Sequence, residues 1–267
     1  MTGALIATLI GVAATAGATV IPQIAQPSAA PKFQPPPDPV ARPAALPSAE
    51  PTAEPTPEPS ATATAPRTAR PAAVFNTWAV SLGKTLNIPS VALESYAYAE
   101  WVVTQTRPTC KLQWTTLAGI GSVASDHGRV GQRSVDAQGV PHPVLMGPAL
   151  DGLAGRVRVP DSDGGALDGD QTWEHAMGPM QLLPSMWRAS GVDADGDGLA
   201  NPQDVDDAAL AAAYHLCAAN KDLSVVANWK ASVNSYHNMA LNIDKVYEAA
   251  QQYGLLSKDL RYPEPRR

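Results

Sequence analysis

The chain has 267 residues, with 26 prolines, 2 cysteines, 19 basic and 25 acidic side chains and a formal net charge of −6. Fifteen of the prolines fall between Pro22 and Pro71, where four basic and four acidic residues cancel, so the remainder holds 15 basic against 21 acidic side chains. That balance, with no Lys/Arg stripe, excludes the basic face of a nucleic-acid binder and leaves about 195 residues for one domain with a sizeable core.

The run ALIATLIGVAATAGATVI from Ala4 to Ile21 carries no charge. Its length suits an export signal or a membrane anchor, and residues 1–22 are predicted to be one of the two. The run contains no cysteine, which excludes a lipid-modified anchor within it. Residues 23–72 are rich in Pro, Ala, Thr and Glu, as in EPTAEPTPEPS at Glu50 to Ser60. Such a composition buries too little apolar area to offset the entropy of ordering, so this stretch is predicted to be a disordered linker. In polyproline II geometry it reaches on the order of 150 Å. Residues 73–267 form the expected domain, which touches a membrane only through the N-terminal segment.

Pro89-Ser90 followed by VALESYAYAEWVVTQT predicts a helix with Ser90 as its N-cap. Cys110 and Cys217 are the only cysteines, and an even count behind an export signal reads as one disulfide closing a long loop. Two cysteines without paired histidines give too few ligands for zinc. Leu112 to Ser125 is an apolar run of helical length that runs towards Gly128, a C-terminal stop; its GIGS segment reads as close packing. Asp136 to Asp170 is rich in Gly and Asp and predicts a long excursion across the surface. Its acidic cluster, Asp161, Asp163, Asp168 and Asp170, matches no ligand template and reads as solvated turn residues, as does Glu174.

Pro184 to Ser190 predicts a short helix with proline in its first turn. Asp193 to Asp204, DADGDGLANPQD, places aspartates at positions 1, 3 and 5 of a twelve-residue loop, Gly198 at 6, the Leu199 carbonyl at 7 and Asp204 at 12. This is EF-hand ligand arithmetic, so Asp193, Asp195, Asp197, Leu199 and Asp204 are candidate ligands for structural Ca²⁺. Closure by Asp rather than Glu shortens the last arm and predicts weak affinity, about 10⁻⁴ to 10⁻³ M. Asp206 to Ala219 and Leu241 to Tyr253 are strong helix candidates, and Leu223 to Ser235 is a weaker one. With no convincing strand between them, the domain is predicted to be all-α. Neither GxSxG, HExxH nor a nucleotide-binding glycine motif occurs, and no organic cofactor is expected.

Two segments, WTTLAGIGSVASDHGR at Trp114 to Arg129 and AMGPMQLLPSMW at Ala176 to Trp187, are joined by DVDDAALAAAYHLC and VNSYHN further on. Together they resemble the B-type (membrane-bound) murein lytic transglycosylases, over most of Ile88 to Tyr253. The resemblance implies an exported, monomeric, lysozyme-like helical domain, an EF-hand-like calcium loop, and peptidoglycan glycan strands as the ligand. It implies cleavage of the bond between N-acetylmuramic acid and N-acetylglucosamine to 1,6-anhydro products. One glutamate does this work, protonating the leaving oxygen and then taking a proton from the muramyl 6-hydroxyl. In the family that acid stands directly before a serine, in ES-x-HG. The matching row reads Val123-Ala124-Ser125-Asp126-His127-Gly128, so Ala124 occupies the acid position.

A methyl group neither gives nor takes a proton. Asp126, the closest substitute, lies two residues on and so about 200° around a helix. Glu100 and Glu174 are the other carboxylates near by pattern: Glu100 reads as a structural partner, and Glu174 could border the groove but reads rather as solvated. Ser125, Met180, Gln181, Tyr236 and Asn238 match residues of the family's sugar site, with His237 standing where asparagine is usual. Two readings stay open: a lytic transglycosylase using an unrecognised carboxylate, or a non-catalytic peptidoglycan-binding or scaffolding relative.

Overall fold

The chain divides into two units, Met1–Ser60 and Ala61–Arg267. A computed structural model describes residues 70–236, 242–258 and 260–263, all within the second unit. The predicted leader and nearly all of the predicted linker therefore lie outside the described residues.

A 3-10 turn at Pro71–Phe75 leads into α1 (Asn76–Leu86), α2 (Ser90–Thr106) and α3 (Trp114–Ser125). A hairpin of β1 (Ser134–Val135) and β2 (Pro141–His142) follows, then α4 (Pro184–Ser190), α5 (Val205–Leu216), α6 (Val226–Asn234) and α7 (Ile243–Ser257). The all-α expectation is thus amended by one short antiparallel pair, with Ser134 opposite His142 and Val135 opposite Pro141. Among the described residues no helix is long and apolar enough to cross a membrane.

α2 is the central helix, buried at Val91, Leu93, Tyr96, Ala99 and Val103 and most positions between. Such all-round burial needs neighbours on several sides, and α1, α3 and α5 supply them. The α5 sequence VDDAALAAAYHL buries Ala208, Ala209, Ala211, Ala212 and Ala213 completely, and side chains that small let α2 approach closely. Each fully buried leucine, such as Leu93 or Leu117, contributes about 1.5–3 kcal/mol. α3 packs along α7, where a Cβ at Gly119 would meet the Val246 carbonyl oxygen at 2.7 Å, so the GIGS segment is indeed a close-packing site.

α2 takes Pro89 rather than Ser90 as its cap: Ser90 is already helical, and the Leu93 N–H donates to the Pro89 carbonyl at 3.0 Å. α3 begins at Trp114, whose N–H is accepted by the Glu100 carboxylate at 2.7 Å. It ends at Ser125, short of Gly128, because Asp126 and His127 both take left-handed backbone, with the His127 N–H reaching back to Gly121 O. The expected disulfide between Cys110 and Cys217 is present and ties the α2–α3 connection to the end of α5.

At the N-terminal edge Arg70 enters the fold. Its guanidinium pairs with Asp206 at 2.5 Å and Glu94 at 2.9 Å, two carboxylates that are only 1% and 2% exposed. Ala72 and Phe75 behind it are buried as well. The segment read as linker up to residue 72 is therefore already packed against α2 and α5 from Arg70 on.

Candidate active site

The Met177–Leu182 hairpin is the centre of the site. Met177 and Leu182 exchange both backbone hydrogen bonds, at 2.8 and 2.9 Å, and leave Gly178-Pro179-Met180-Gln181 as the turn. The left-handed Gln181 (φ 49°) closes it, donating through its side-chain amide to the Gly178 carbonyl at 3.0 Å. Gly178 has φ +67°, and a Cβ there would collide with the carbonyl oxygen of Pro202 in the aspartate loop. Gly178→Ala therefore combines left-handed strain with a backbone clash, and is expected to cost about 2–4 kcal/mol in chemical denaturation.

Two side chains hold this turn from below. Ser125 Oγ, at the end of α3, donates to the Pro179 carbonyl at 2.5 Å and accepts the Gly128 N–H at 2.7 Å. Tyr236 Oη, beyond α6, donates to the Met180 carbonyl at 3.0 Å. Consecutive carbonyls of the turn are thus fixed from two different helices. The structure brings Ser125, Met180, Gln181 and Tyr236 together as the sequence suggested. Ser125, Met180 and Tyr236 are sealed from solvent, and the Ser125 and Tyr236 hydroxyls support the turn. Asn238, the remaining expected contact, and His237 lie outside the described residues.

His127 completes the junction. Its two ring nitrogens face Tyr96 Oη and Tyr253 Oη, each at 3.1 Å, which bolts the end of α3 to α2 and α7. Burial, with the Arg129 charge behind it, pushes its pKa down to about 3, so the imidazole stays neutral and donates to one tyrosine while accepting from the other.

Ala124 sits half-buried in the last turn of α3, next to Ser125. The carboxylates considered as substitutes each have partners elsewhere. Asp126 caps the helix with its side chain 54% exposed and paired with Arg129 at 2.8 Å. Glu100 is held near the neutral form, its pKa pushed up to about 7 by burial. It binds the first residue of α3, however, ten residues and so about 15 Å along the axis from Ala124. Glu174 is not solvated as expected but 1% exposed, with Oε1 accepting from Ser162 Oγ; burial raises its pKa.

In the aspartate loop, ligand oxygens of Asp193, Asp195 and Asp197 lie within 4.8 Å of one another. Asx-type bonds shape it: Asp193 accepts from Gly196 and Gly198, Asp195 from Asp197, and Asp197 from Leu199. Asp204 stands outside this trio. Its Oδ1 caps α5 by accepting the Asp206 N–H at 2.8 Å, and burial beside Asp206 pushes its pKa up to about 8. Asp207, which the twelve-residue template does not reach, grips the loop through Ala194 N at 2.6 Å and Asn201 N at 2.8 Å. Only the helical frame of α5, turning Asp207 back towards the loop, marks that role in the sequence.

Residues 163–262 match the family model described as Transglycosylase SLT domain. The match takes in the GPMQ turn, the aspartate loop and α4 to α7, and leaves α3 with Ala124 outside it. No curated protein and no solved structure matches the chain. Over these 100 of 267 residues the chain is similar to that transglycosylase family, in the stretch that holds the turn and the loop.

Proposed function

We propose that this protein is an exported B-type transglycosylase relative that binds peptidoglycan glycan strands without cleaving them. One observation supports the reading: Ala124, which the resemblance puts at the acid position, directly precedes Ser125, and Ser125 is locked to the GPMQ turn. Bond cleavage by this family's route needs one group that gives a proton to the glycosidic oxygen and takes one from the 6-hydroxyl. A methyl group does neither, and Asp126, Glu100 and Glu174 are engaged elsewhere.

The test is cosedimentation of the chain with insoluble peptidoglycan, followed by mass spectrometry of the soluble fraction. The expected result is retention on the pellet with no 1,6-anhydro-muropeptides above background. Release of those products by the unaltered chain would make it the active transglycosylase that the family match favours.

Asp193, Asp195 and Asp197 fit a hard cation, because they offer only oxygen donors and converge on one point. In this reading they hold Ca²⁺ with the Leu199 carbonyl, and the ion fixes the loop against Gly178. At an affinity of about 10⁻⁴ to 10⁻³ M, about 10 mM calcium adds about 1.4–2.7 kcal/mol. That is expected to raise Tm by about 3–10 °C, and Asp193→Ala to diminish the rise. A rise of equal size in the variant would exclude this loop as its source.

A further inference from the structure

Between Asp161 and Glu174, DSDGGALDGDQTWE carries five carboxylates. Most of their oxygens have donors. Asp161 accepts from the N–H groups of Asp163, Gly164 and Gly165, and Asp168 from Asp170 and His175. Asp170 takes Thr172 and Trp173 on one oxygen and the His175 ring on the other. Two oxygens are left over. Asp163 Oδ2 and Glu174 Oε2 are both buried and have no hydrogen-bond partner. Glu174 is the more severe case, since the whole residue is 1% exposed.

Arg188 bonds to Ser162 rather than to Glu174. It donates to the Ser162 carbonyl at 2.6 Å and to Ser162 Oγ at 2.8 Å, and that hydroxyl in turn donates to Glu174 Oε1. The Glu174 carboxylate is therefore anchored at the Asp161–Asp163 segment by one oxygen while the other points into the acidic loop. The surrounding charges it feels there are Asp161, Asp163 and Asp168. A buried carboxylate among like charges, with an oxygen lacking any donor, is strongly unfavourable unless something positive is shared among them. A proton on Glu174 would cancel its charge but leave Oε2 with no group to donate to, whereas a cation supplies that oxygen with a partner. Calcium bridges several oxygens, each standing about 2.3–2.6 Å from it.

We infer that Asp163 and Glu174 are the carboxylate ligands of a second divalent-cation site, separate from the Asp193 loop and suited to Ca²⁺. The donors are all hard oxygens, which suit calcium over zinc or copper. Three carboxylates do not converge as they do at Asp193, so main-chain carbonyls and water complete the coordination. The site has a structural consequence. The Glu174 backbone pairs with Val159 and Leu150, each at 3.0 Å, and Ala176 pairs with Gly147 at 2.8 Å. A cation at Glu174 therefore clips the long excursion to the strand that enters the GPMQ turn.

The experiment is calorimetric titration of the metal-free full chain with Ca²⁺, beside Asp193→Asn/Asp195→Asn and the same variant carrying Glu174→Gln. The expected stoichiometries are two, one and none. Thermal melts give a second readout. Glu174→Gln keeps the shape and removes the uncompensated charge, so it is expected to melt at or above the parent in EDTA and below it in millimolar calcium. Trp173, beside the site, is expected to sensitise Tb³⁺ luminescence in the first variant and not in the second. The inference is overturned if Asp193→Asn/Asp195→Asn takes up no calcium at 10 mM, if Glu174→Gln leaves its uptake unchanged, or if Glu174→Gln melts below the parent in EDTA. Should Glu174→Gln fail to fold, Asp163→Asn in the same background decides by the same loss of uptake. None of these outcomes depends on whether the chain cleaves glycan.

Discussion

Ala124→Glu is expected to turn a chain that only retains peptidoglycan into one that releases 1,6-anhydro-muropeptides, a gain of about 10²–10⁴-fold over background. The position favours a proton-holding carboxyl. It is half-buried, and it lies in the last turn of α3, where the negative end of the helix disfavours a second negative charge. The positive charge nearest in sequence, Arg129, is already committed to Asp126 and to the Asn87 carbonyl. His127, three residues after Ala124, carries no charge to lower the new acid. The measurement is mass spectrometry of products from both proteins at equal retention on the pellet. A folded, glycan-retaining Ala124→Glu variant without products would mean that more than the acid has been lost, with His237 the first residue to examine.

Arg70→Ala is expected to lower stability by about 3–5 kcal/mol, which at this domain size is about 6–20 °C in Tm. The guanidinium binds Asp206 through two nitrogens and Glu94 through a third, and it also reaches Ser95 Oγ at 3.4 Å. Truncation leaves two carboxylates in the core with only the Asn76 and Ser95 side chains donating to them. Arg70→Lys should lose much of the same energy, because one ammonium group cannot reproduce the fork. The control is Arg70→Ala with Glu94→Gln and Asp206→Asn, which removes the stranded charges and should recover most of the loss. A single variant as stable as the parent would show that water solvates this cluster.

The sequence disclosed the helices whose periodicity is strong and whose ends carry clear signals. Pro184–Ser190 is placed to the residue, and α5 and α7 differ from expectation by a few residues at their ends. α1 went unpredicted although Trp78, Ala79, Leu82 and Leu86 lie on one face, because Gly83 and a preceding run of prolines argue against a helix there. The α3 stop was misplaced because two non-glycine residues adopt the left-handed backbone ahead of Gly128. In the site, residue identity was legible and role was not. Ser125 and Tyr236 resemble sugar contacts by motif, yet their hydroxyls are used on the carbonyls of Pro179 and Met180. Only the folded chain determines which side of the turn they occupy. Glu174 shows the same limit: in an Asp- and Gly-rich stretch a glutamate looks solvated, and its burial depends on Ser162 and on the pairing of residue 174 with Val159 and Leu150.

The meeting of Gly178 with the Pro202 carbonyl makes the Met177–Leu182 hairpin and the aspartate loop share a backbone boundary with no side chain between them. Neither can shift without the other giving way. Thermodynamic reciprocity then applies: any tightening of saccharide affinity that an occupied loop confers across this seam must be returned, in equal measure, as tighter retention of the ion when saccharide is bound.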